Sequence, residues 1–229
     1  MIPLQDDAPI ERTPVVTVAL IAVNVAAFAW QIGVAGLDLS ALRGGAIPYE
    51  ILTGRDIWPP DVVPPPFTIL TSMFLHGGFL HIGSNMLFLW IFGNNVEDAL
   101  GRLRFVLFYV ACGVAAALAQ VVASAVMGDV EVPMVGASGA IAGVLAAYMV
   151  MFPRANVKTL VFFVIFIRVL FLPAAVFIGL WFVLQVLSVF LGGAPGVAVF
   201  AHIGGFLTGW LLVRTMGRRP RRLVRPASW

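Results

Sequence analysis

From residue 13 to residue 37 the chain carries no Asp, Glu, Lys or Arg, and the pattern returns at 62–96, 105–128, 132–153 and 169–213. A helix needs about 20 apolar residues to cross a hydrocarbon core of ~30 Å, so runs of this length constrain the chain before any motif is read. Composition agrees: 61% of the 229 residues are hydrophobic and 11% charged, against roughly a quarter charged in ordinary soluble domains. Such a chain cannot cover a globule with a solvated surface, and part of its solvent must be lipid.

The run at 13–37 supplies one span, at about 15–35. The run at 62–96 is punctuated early by Pro64, Pro65, Pro66, Gly77 and Gly78, which places its helix at about 80–96. The stretches 105–128 and 132–153 give a third and a fourth span, the fourth entered through the turn-like Val135-Gly136-Ala137. Residues 169–213 are too many for one crossing, and Gly192-Gly193-Ala194-Pro195-Gly196 divides them into a fifth span near 170–191 and a sixth near 198–216. The apolar stretch 159–167, between Lys158 and Arg168, is too short to cross and is expected to lie in the interface or pack inside the bundle. The sequence therefore predicts an all-α membrane protein, a six-transmembrane-helix bundle. Its one long loop, 36–79, is rich in Pro and Gly yet greasy at 46–52 and 67–75, and is expected to lie partly in the outer leaflet.

Asp6, Asp7 and Glu11 precede the first apolar run and Arg12 is the only cation there, so the run is read as a retained span and not as a signal peptide. Lys and Arg set the orientation. Twelve cations fall on the side of the termini: Arg12, Arg102, Arg104, Arg154, Lys158, Arg168, Arg214, Arg218, Arg219, Arg221, Arg222 and Arg225. Arg43 and Arg55 fall on the other, beside the acidic Asp129 and Glu131. Both termini are expected in the cytoplasm. The domain organisation that follows is a cytoplasmic segment 1–12, a six-span domain 13–216 and a basic tail 217–229, the tail a topology signal touching anionic lipid and not a nucleic-acid site. The lone Cys112 sits in an apolar run and is assigned to packing.

Polar groups inside spans are expensive and by default mark function. Four stand out: His81 and Asn85 on the second span, Ser138 at the mouth of the fourth and His202 near the start of the sixth. All three helices run from outside inward, so all four residues fall in the outer leaflet. His202 and Asn85 lie four or five residues into their helices, roughly 6–8 Å deep at ~1.5 Å per residue. The fourth helix is only about 22 Å long by the same rise, so its start, with Ser138, lies at nearly that depth. Ser138, Gly139 and Gly143 form a small face on one helix, and Gly205 and Gly209 form one on the other beside His202, letting two backbones approach.

The chemistry follows from this placement. A serine hydroxyl is a poor nucleophile until a base takes its proton, and imidazole suits that role. The fourth helix's N-terminus offers free N–H groups where an oxyanion would form. His81 and Asn85, four apart, share a helix face and add side-chain donors. The outer halves of these helices hold no carboxylate, which points to a dyad of Ser138 and His202. A zinc site is disfavoured because His76 and His81 are five apart with no carboxylate between them, unlike H-E-x-x-H. A transporter should carry ionisable groups through both leaflets, and the inner halves here have almost none.

Gly136-Ala137-Ser138-Gly139 is a G-x-S-G motif. Ala201-His202-Ile203-Gly204-Gly205 with Gly209 fits A-H-x-x-G-x-x-x-G, and His76 to His81 to Asn85 fits H-x4-H-x3-N. In this order, over about residues 13–216, the chain closely resembles the rhomboid intramembrane serine proteases. The resemblance implies Ser138 as nucleophile, His202 as general base, and His81 and Asn85 binding the oxyanion with the Ser138 N–H. It also implies a lateral gate and cap from the fifth helix and the 192–196 loop, with Phe177 and Trp181 as gate side chains, and a structural role for Glu97 in Gly93-x3-Glu97-x3-Gly101. His76 is read as structural. Two features depart from the pattern: position 142, four after the serine, is Ala where some members stack a Tyr on the histidine, and loop 36–79 has no Trp-Arg pair, only Arg55 and Trp58 in the reverse order. A catalytically inactive relative would usually lack the serine or the histidine, and both are here. By resemblance the partners are transmembrane substrate proteins and lipid, with no nucleic acid, cofactor or metal. A multi-pass plasma membrane protein is expected; thirteen Arg to one Lys and the compact core suit a bacterial inner membrane.

Overall fold

Away from water a backbone must satisfy its own N–H and C=O groups, and the apolar runs do so as helices. In the computed structural model, which describes residues 1–57, 59–163, 166–191 and 197–216, the first run forms α1 (Val15–Trp30), ending in a π-helical turn, Gln31–Ala35. The 36–79 segment folds into α2 (Leu37–Gly44), α3 (Pro48–Thr53) and α4 (Pro65–Ser72). The last two open on proline, whose missing N–H is no loss in a first turn. Next come α5 (Phe79–Phe88), a π-helical turn (Leu89–Gly93) and α6 (Asn94–Leu100), which together make the second long rod. Gly101, at φ 81°, reverses the chain into α7 (Arg102–Met127), followed by α8 (Ser138–Met151), α9 (Ala174–Phe190) and α10 (Val199–Met216).

α8 is the axis of the molecule. Residues from Gly139 through Tyr148 are buried on every side, and α7 and α10 pack along it and along each other. Its core neighbours include Phe92, Phe105, Phe108, Phe177 and Phe206. The opposite, outward faces of the other helices carry exposed Val23, Val25, Leu107, Val122, Leu184 and Leu211. Exposed apolar side chains in such number suit lipid and not water. Among the described residues, Val15–Ala35, Arg102–Met127 and Val199–Met216 are each long and apolar enough to cross a membrane, with Ser138–Met151 and Ala174–Phe190 apolar but shorter. The protein is a multi-pass membrane protein.

The all-α expectation is corrected by a three-stranded antiparallel sheet, β1 (Ile2–Asp6), β2 (Asn156–Phe163) and β3 (Phe166–Pro173), in that order. The stretch expected to lie in the interface or inside the bundle is a β-hairpin, with Lys158 opposite Phe171 and Val161 opposite Arg168. The 1–12 segment contributes its edge strand, pairing Ile2 with Leu160 and Asp6 with Val157. Residues 156–173 are dense in Val, Ile, Phe, Leu and Thr, which suit a pleated surface. The fifth helix consequently starts at Ala174 and not near 170. Asp6 ties the sheet to the axis: it accepts the Tyr148 hydroxyl at 2.5 Å, and burial, the largest influence on its carboxyl, pushes its pKa up.

The start of α1 is capped from α6. Glu97, 2% exposed, accepts the Val16 N–H at 3.0 Å, the Thr17 N–H at 2.7 Å and the Thr17 hydroxyl at 2.8 Å. A carboxylate there satisfies donors that a helix N-terminus leaves free and meets the positive end of its dipole. Glu97→Ala is expected to destabilise the chain by about 2–4 kcal/mol, because three charge-assisted bonds vanish and buried donors are left unpaired. Thermal unfolding in detergent measures this; an unchanged midpoint would show that the cap contributes nothing.

The loop has its own anchors without the missing Trp-Arg pair; Trp58 lies outside the described residues. Ala46 and Met134 exchange backbone hydrogen bonds at 3.0 and 2.9 Å, and the Tyr49 N–H reaches the Val130 carbonyl at 2.8 Å. Glu50, fully buried, accepts the Ile57 N–H at 2.6 Å. Gln31, also buried, grips His76 reciprocally: the His76 N–H donates to Oε1 at 2.9 Å and Nε2 donates to the His76 carbonyl at 3.3 Å.

Candidate active site

α8 begins at Ser138 with no side chain capping its first turn, so its leading N–H groups are free to meet an external acceptor. The chain arrives through Gly136, whose φ of 126° is closed to residues with a Cβ; the Gly136 N–H is held by the Ser72 carbonyl at 2.8 Å. Beside this entry α10 runs backbone to backbone with α8. A Cβ on Gly205 would land on the Gly139 carbonyl oxygen, and one on Gly209 on the Gly143 carbonyl oxygen. That proximity, which only glycine permits, carries His202 across: its Nε2 lies 2.8 Å from Ser138 Oγ.

His81 and Asn85 come from α5 on the far side of Gly136. The Gly77 N–H donates to His81 Nδ1 at 3.2 Å, which makes Nδ1 the acceptor and leaves the ring proton on Nε2. A Cβ on Gly136 would stand 2.7 Å from that Nε2 and 3.7 Å from Asn85 Nδ2. Asn85 is 6% exposed, and its Nδ2 has no hydrogen-bond partner among the described residues. Two donors thus border Gly136, two residues before the serine, and one is a buried amide lacking an acceptor among the described residues, which is costly unless something fills the role. His76 packs edge-on to the His81 ring at 5.0 Å and to Phe28 at 6.5 Å, supporting His81 from behind.

A small cavity of about 30 Å³ opens beside Ser138, enough for one water. Gly113, Ala116, Gly139 and Ala201 are among its walls, and small residues on α7, α8 and α10 keep it open. A larger cavity of about 340 Å³ lies between Arg12, Thr13, Glu97, Asp98, Gly101 and Arg102, at the other end of the molecule. Its Glu97 is already spent on α1. Among the described residues no group of three or more His, Cys, Asp or Glu is placed to hold a metal ion.

All four residues singled out in the sequence therefore meet at one place. One neighbour of theirs was missed. Gln185, on α9, lies with its Oε1 2.8 Å from His202 Nδ1, and Trp181, one turn earlier, lies 5.8 Å from the imidazole between ring centres. These supply the contacts that Ala142, fully buried on α8, cannot. Gln185 is the only amide in the apolar run 169–191, so the rule that flagged Asn85 could have flagged it too. Phe177 is 1% exposed and packs on Phe88 and Phe92, anchoring α9 in the core. The 192–196 loop, expected to form a cap, lies outside the described residues.

Taken together, the fold and the site define a helical membrane protein with a serine and a histidine paired inside its bundle. The family model described as the Rhomboid domain matches residues 65–219, more than half of the chain, and the chain belongs to the rhomboid family. It is 29% identical over 229 residues to Rhomboid protein 1, mitochondrial, of Saccharomyces cerevisiae, covering 92% of this chain and 57% of that protein. It is 30% identical over 158 residues to Rhomboid-type serine protease 2 of Emericella nidulans, covering 69% of this chain and 28% of that protein. It is 41% identical over 81 residues to Rhomboid protease GluP of Bacillus subtilis, covering 35% of this chain and 15% of that protein. The chain thus spans little more than half the length of the yeast protein and less of the others.

Proposed function

We propose that the chain is an intramembrane serine endopeptidase that cuts transmembrane segments of other proteins near the outer leaflet, using Ser138 and His202 as a dyad. The observation that carries this is the 2.8 Å approach of His202 Nε2 to Ser138 Oγ across two helices in a family whose named members include serine proteases. His202 Nε2 takes the Ser138 proton as Oγ attacks a peptide carbonyl, then passes it to the departing amine. A water entering from outside gives a proton to the same nitrogen as its oxygen bonds to the acyl carbon, and that nitrogen returns the proton to Oγ as the acyl–Oγ bond breaks. His81 Nε2–H, Asn85 Nδ2 and the Ser138 N–H stabilise the oxyanion. The cavity beside Ser138 suits a small side chain next to the cut bond. No cofactor or metal has a part in this chemistry.

Around this centre we place six spans: α1, the rod α5–α6, α7, α8, α9 and α10. The loop 36–79 lies partly in the outer leaflet, and both termini lie in the cytoplasm of a bacterial inner membrane. The limits 1–12, 13–216 and 217–229 fit that topology, with β1 docked on the six-span domain. The named relatives include both bacterial and mitochondrial proteins; the charge asymmetry, twelve cations against two, sets the orientation of the spans.

Asn85→Ala is expected to lower kcat by about 10–1,000-fold with KM little changed, since the amide has a partner only when the oxyanion forms. A proportional rise in KM instead would assign Asn85 to substrate binding. The reading as a whole is tested by incubating the purified chain in liposomes with a single-span substrate and a chelator. Cleavage is expected at a bond in or near the membrane segment, and its loss to the chelator would overturn the serine mechanism.

A further inference from the structure

For His202 Nε2 to act as a base, the ring proton must sit on Nδ1, and something must hold it there. The structure puts Gln185 Oε1 2.8 Å from that atom. Trp181 lies four residues earlier on the same helix face, 5.8 Å from the imidazole and tilted 41° to it, and it also packs on Phe206 at 6.5 Å. The support for the imidazole thus comes from α9 and not from α8, where Ala142 has no reach. We propose that Gln185 is the positioning residue of His202: its carbonyl accepts a hydrogen bond from Nδ1–H, fixes the productive tautomer and aims Nε2 at Ser138. A site read from sequence as a dyad is then a Ser–His–Gln line drawn from three helices, α8, α10 and α9.

The proposal rests on Ser138 and His202 being the catalytic pair, and it separates two roles for a polar residue on α9. A residue that controls substrate entry would change cleavage of a membrane-spanning substrate and leave a small reagent unaffected. A residue that positions the base must change both. No Asp, Glu, Lys or Arg occurs on α8 or α9, and α10 has only Arg214, in its last turn. The other ionisable rings near the site among the described residues are His81 and, behind it, His76, and both are unchanged in every variant compared, so a difference in the acid limb between variants reports on His202 and position 185.

The experiment compares Gln185→Leu, Gln185→Glu and wild type in liposomes, following both cleavage of a single-span substrate and labelling of Ser138 by a small fluorophosphonate. Leu keeps the volume and loses the acceptor, so both rates should fall by roughly 10–100-fold with KM nearly constant, the range found where the hydrogen-bond partner that orients a metal-ligating histidine is removed. Glu restores an acceptor and adds charge, so both rates should recover at alkaline pH with the acid limb moved about one unit higher. A side chain that only fills space at 185 would leave both rates intact in Gln185→Leu, so that Glu had no loss to restore. Ser138→Ala runs alongside. If it still cuts, the catalytic pair itself is wrong; if it is inactive while Gln185→Leu keeps both rates within about twofold and the same limb, the role of Gln185 is overturned and the pair stands. Loss of cleavage with labelling intact in Gln185→Leu also overturns it, in favour of entry.

Discussion

Ser138→Ala and His202→Ala should each reduce cleavage of a single-span substrate by roughly 10⁴-fold or more, and the double variant should be no worse than either alone. Both effects come from one event, transfer of the hydroxyl proton across the 2.8 Å between Oγ and Nε2; removing either end removes the nucleophile, so their costs do not add. The oxyanion donors remain and account for whatever rate is left. The readout is the initial rate in liposomes, with thermal unfolding showing that each variant keeps its fold. Ser138 and His202 are both half-buried and each variant loses the hydrogen bond between them, His202→Ala also its contacts with Gln185 and Trp181, so stability should fall by no more than about 1–3 kcal/mol. A Ser138→Ala chain that retains more than about 1% of the rate, or costs in the two variants that multiply, would remove the pair from the mechanism.

Much of the site was legible because a membrane makes polar residues conspicuous. His81, Asn85, Ser138 and His202 stand out against charge-free sequence, and the expected direction of three helices puts them at one depth. Glycines at 139, 143, 205 and 209 told which helix faces meet. Gln185 stands out by the same contrast, but its partner is not legible: position 142 shows that no aromatic reaches the imidazole from α8, and nothing in the spacing says that α9 holds it instead. Sequence spacing orders residues along one helix but does not say which third helix will lie across from a histidine.

The sheet was missed for a different reason. A half-exposed strand announces itself by alternation, and residues 156–173 are apolar on both faces: Val157 and Thr159 are fully buried, while Phe162, Ile167 and Phe171 are exposed. With period two erased, the stretch reads like a short failed span, and its partner β1 lies at the far N-terminal end of the chain, Ile2 opposite Leu160. Nor did composition show that Glu97 closes α1. Its motif marks the acid as structural, but its three acceptor contacts with Val16 and Thr17 depend on α6 docking at the α1 N-terminus, a tertiary fact.

The second large effect is expected at a residue with no side chain. In Gly205→Val the new methyl groups would have to occupy the place of the Gly139 carbonyl, which is backbone of a helix buried on all sides and cannot rotate away. Over-packing ordinarily costs about 1–3 kcal/mol, and an obstacle made of main chain sets the cost at or above the upper end. Relief comes only by pushing α10 off α8, and His202 sits three residues before Gly205. A shift of about 1 Å in a reacting pair can lower the rate 10²-fold, so cleavage and fluorophosphonate labelling should both fall at least that far, with neither catalytic side chain altered. Gly205→Ala should lie between, since its single Cβ already meets the same oxygen. Gly179→Ala, on α9 with nothing within 4 Å of a new Cβ, is the control: it should leave activity unchanged and gain about 0.5–1 kcal/mol of helix stability. If Gly205→Val unfolds at the wild-type midpoint and labels at the wild-type rate, α8 and α10 are not in the contact described, and the approach of His202 to Ser138 has some other cause than the glycines between them.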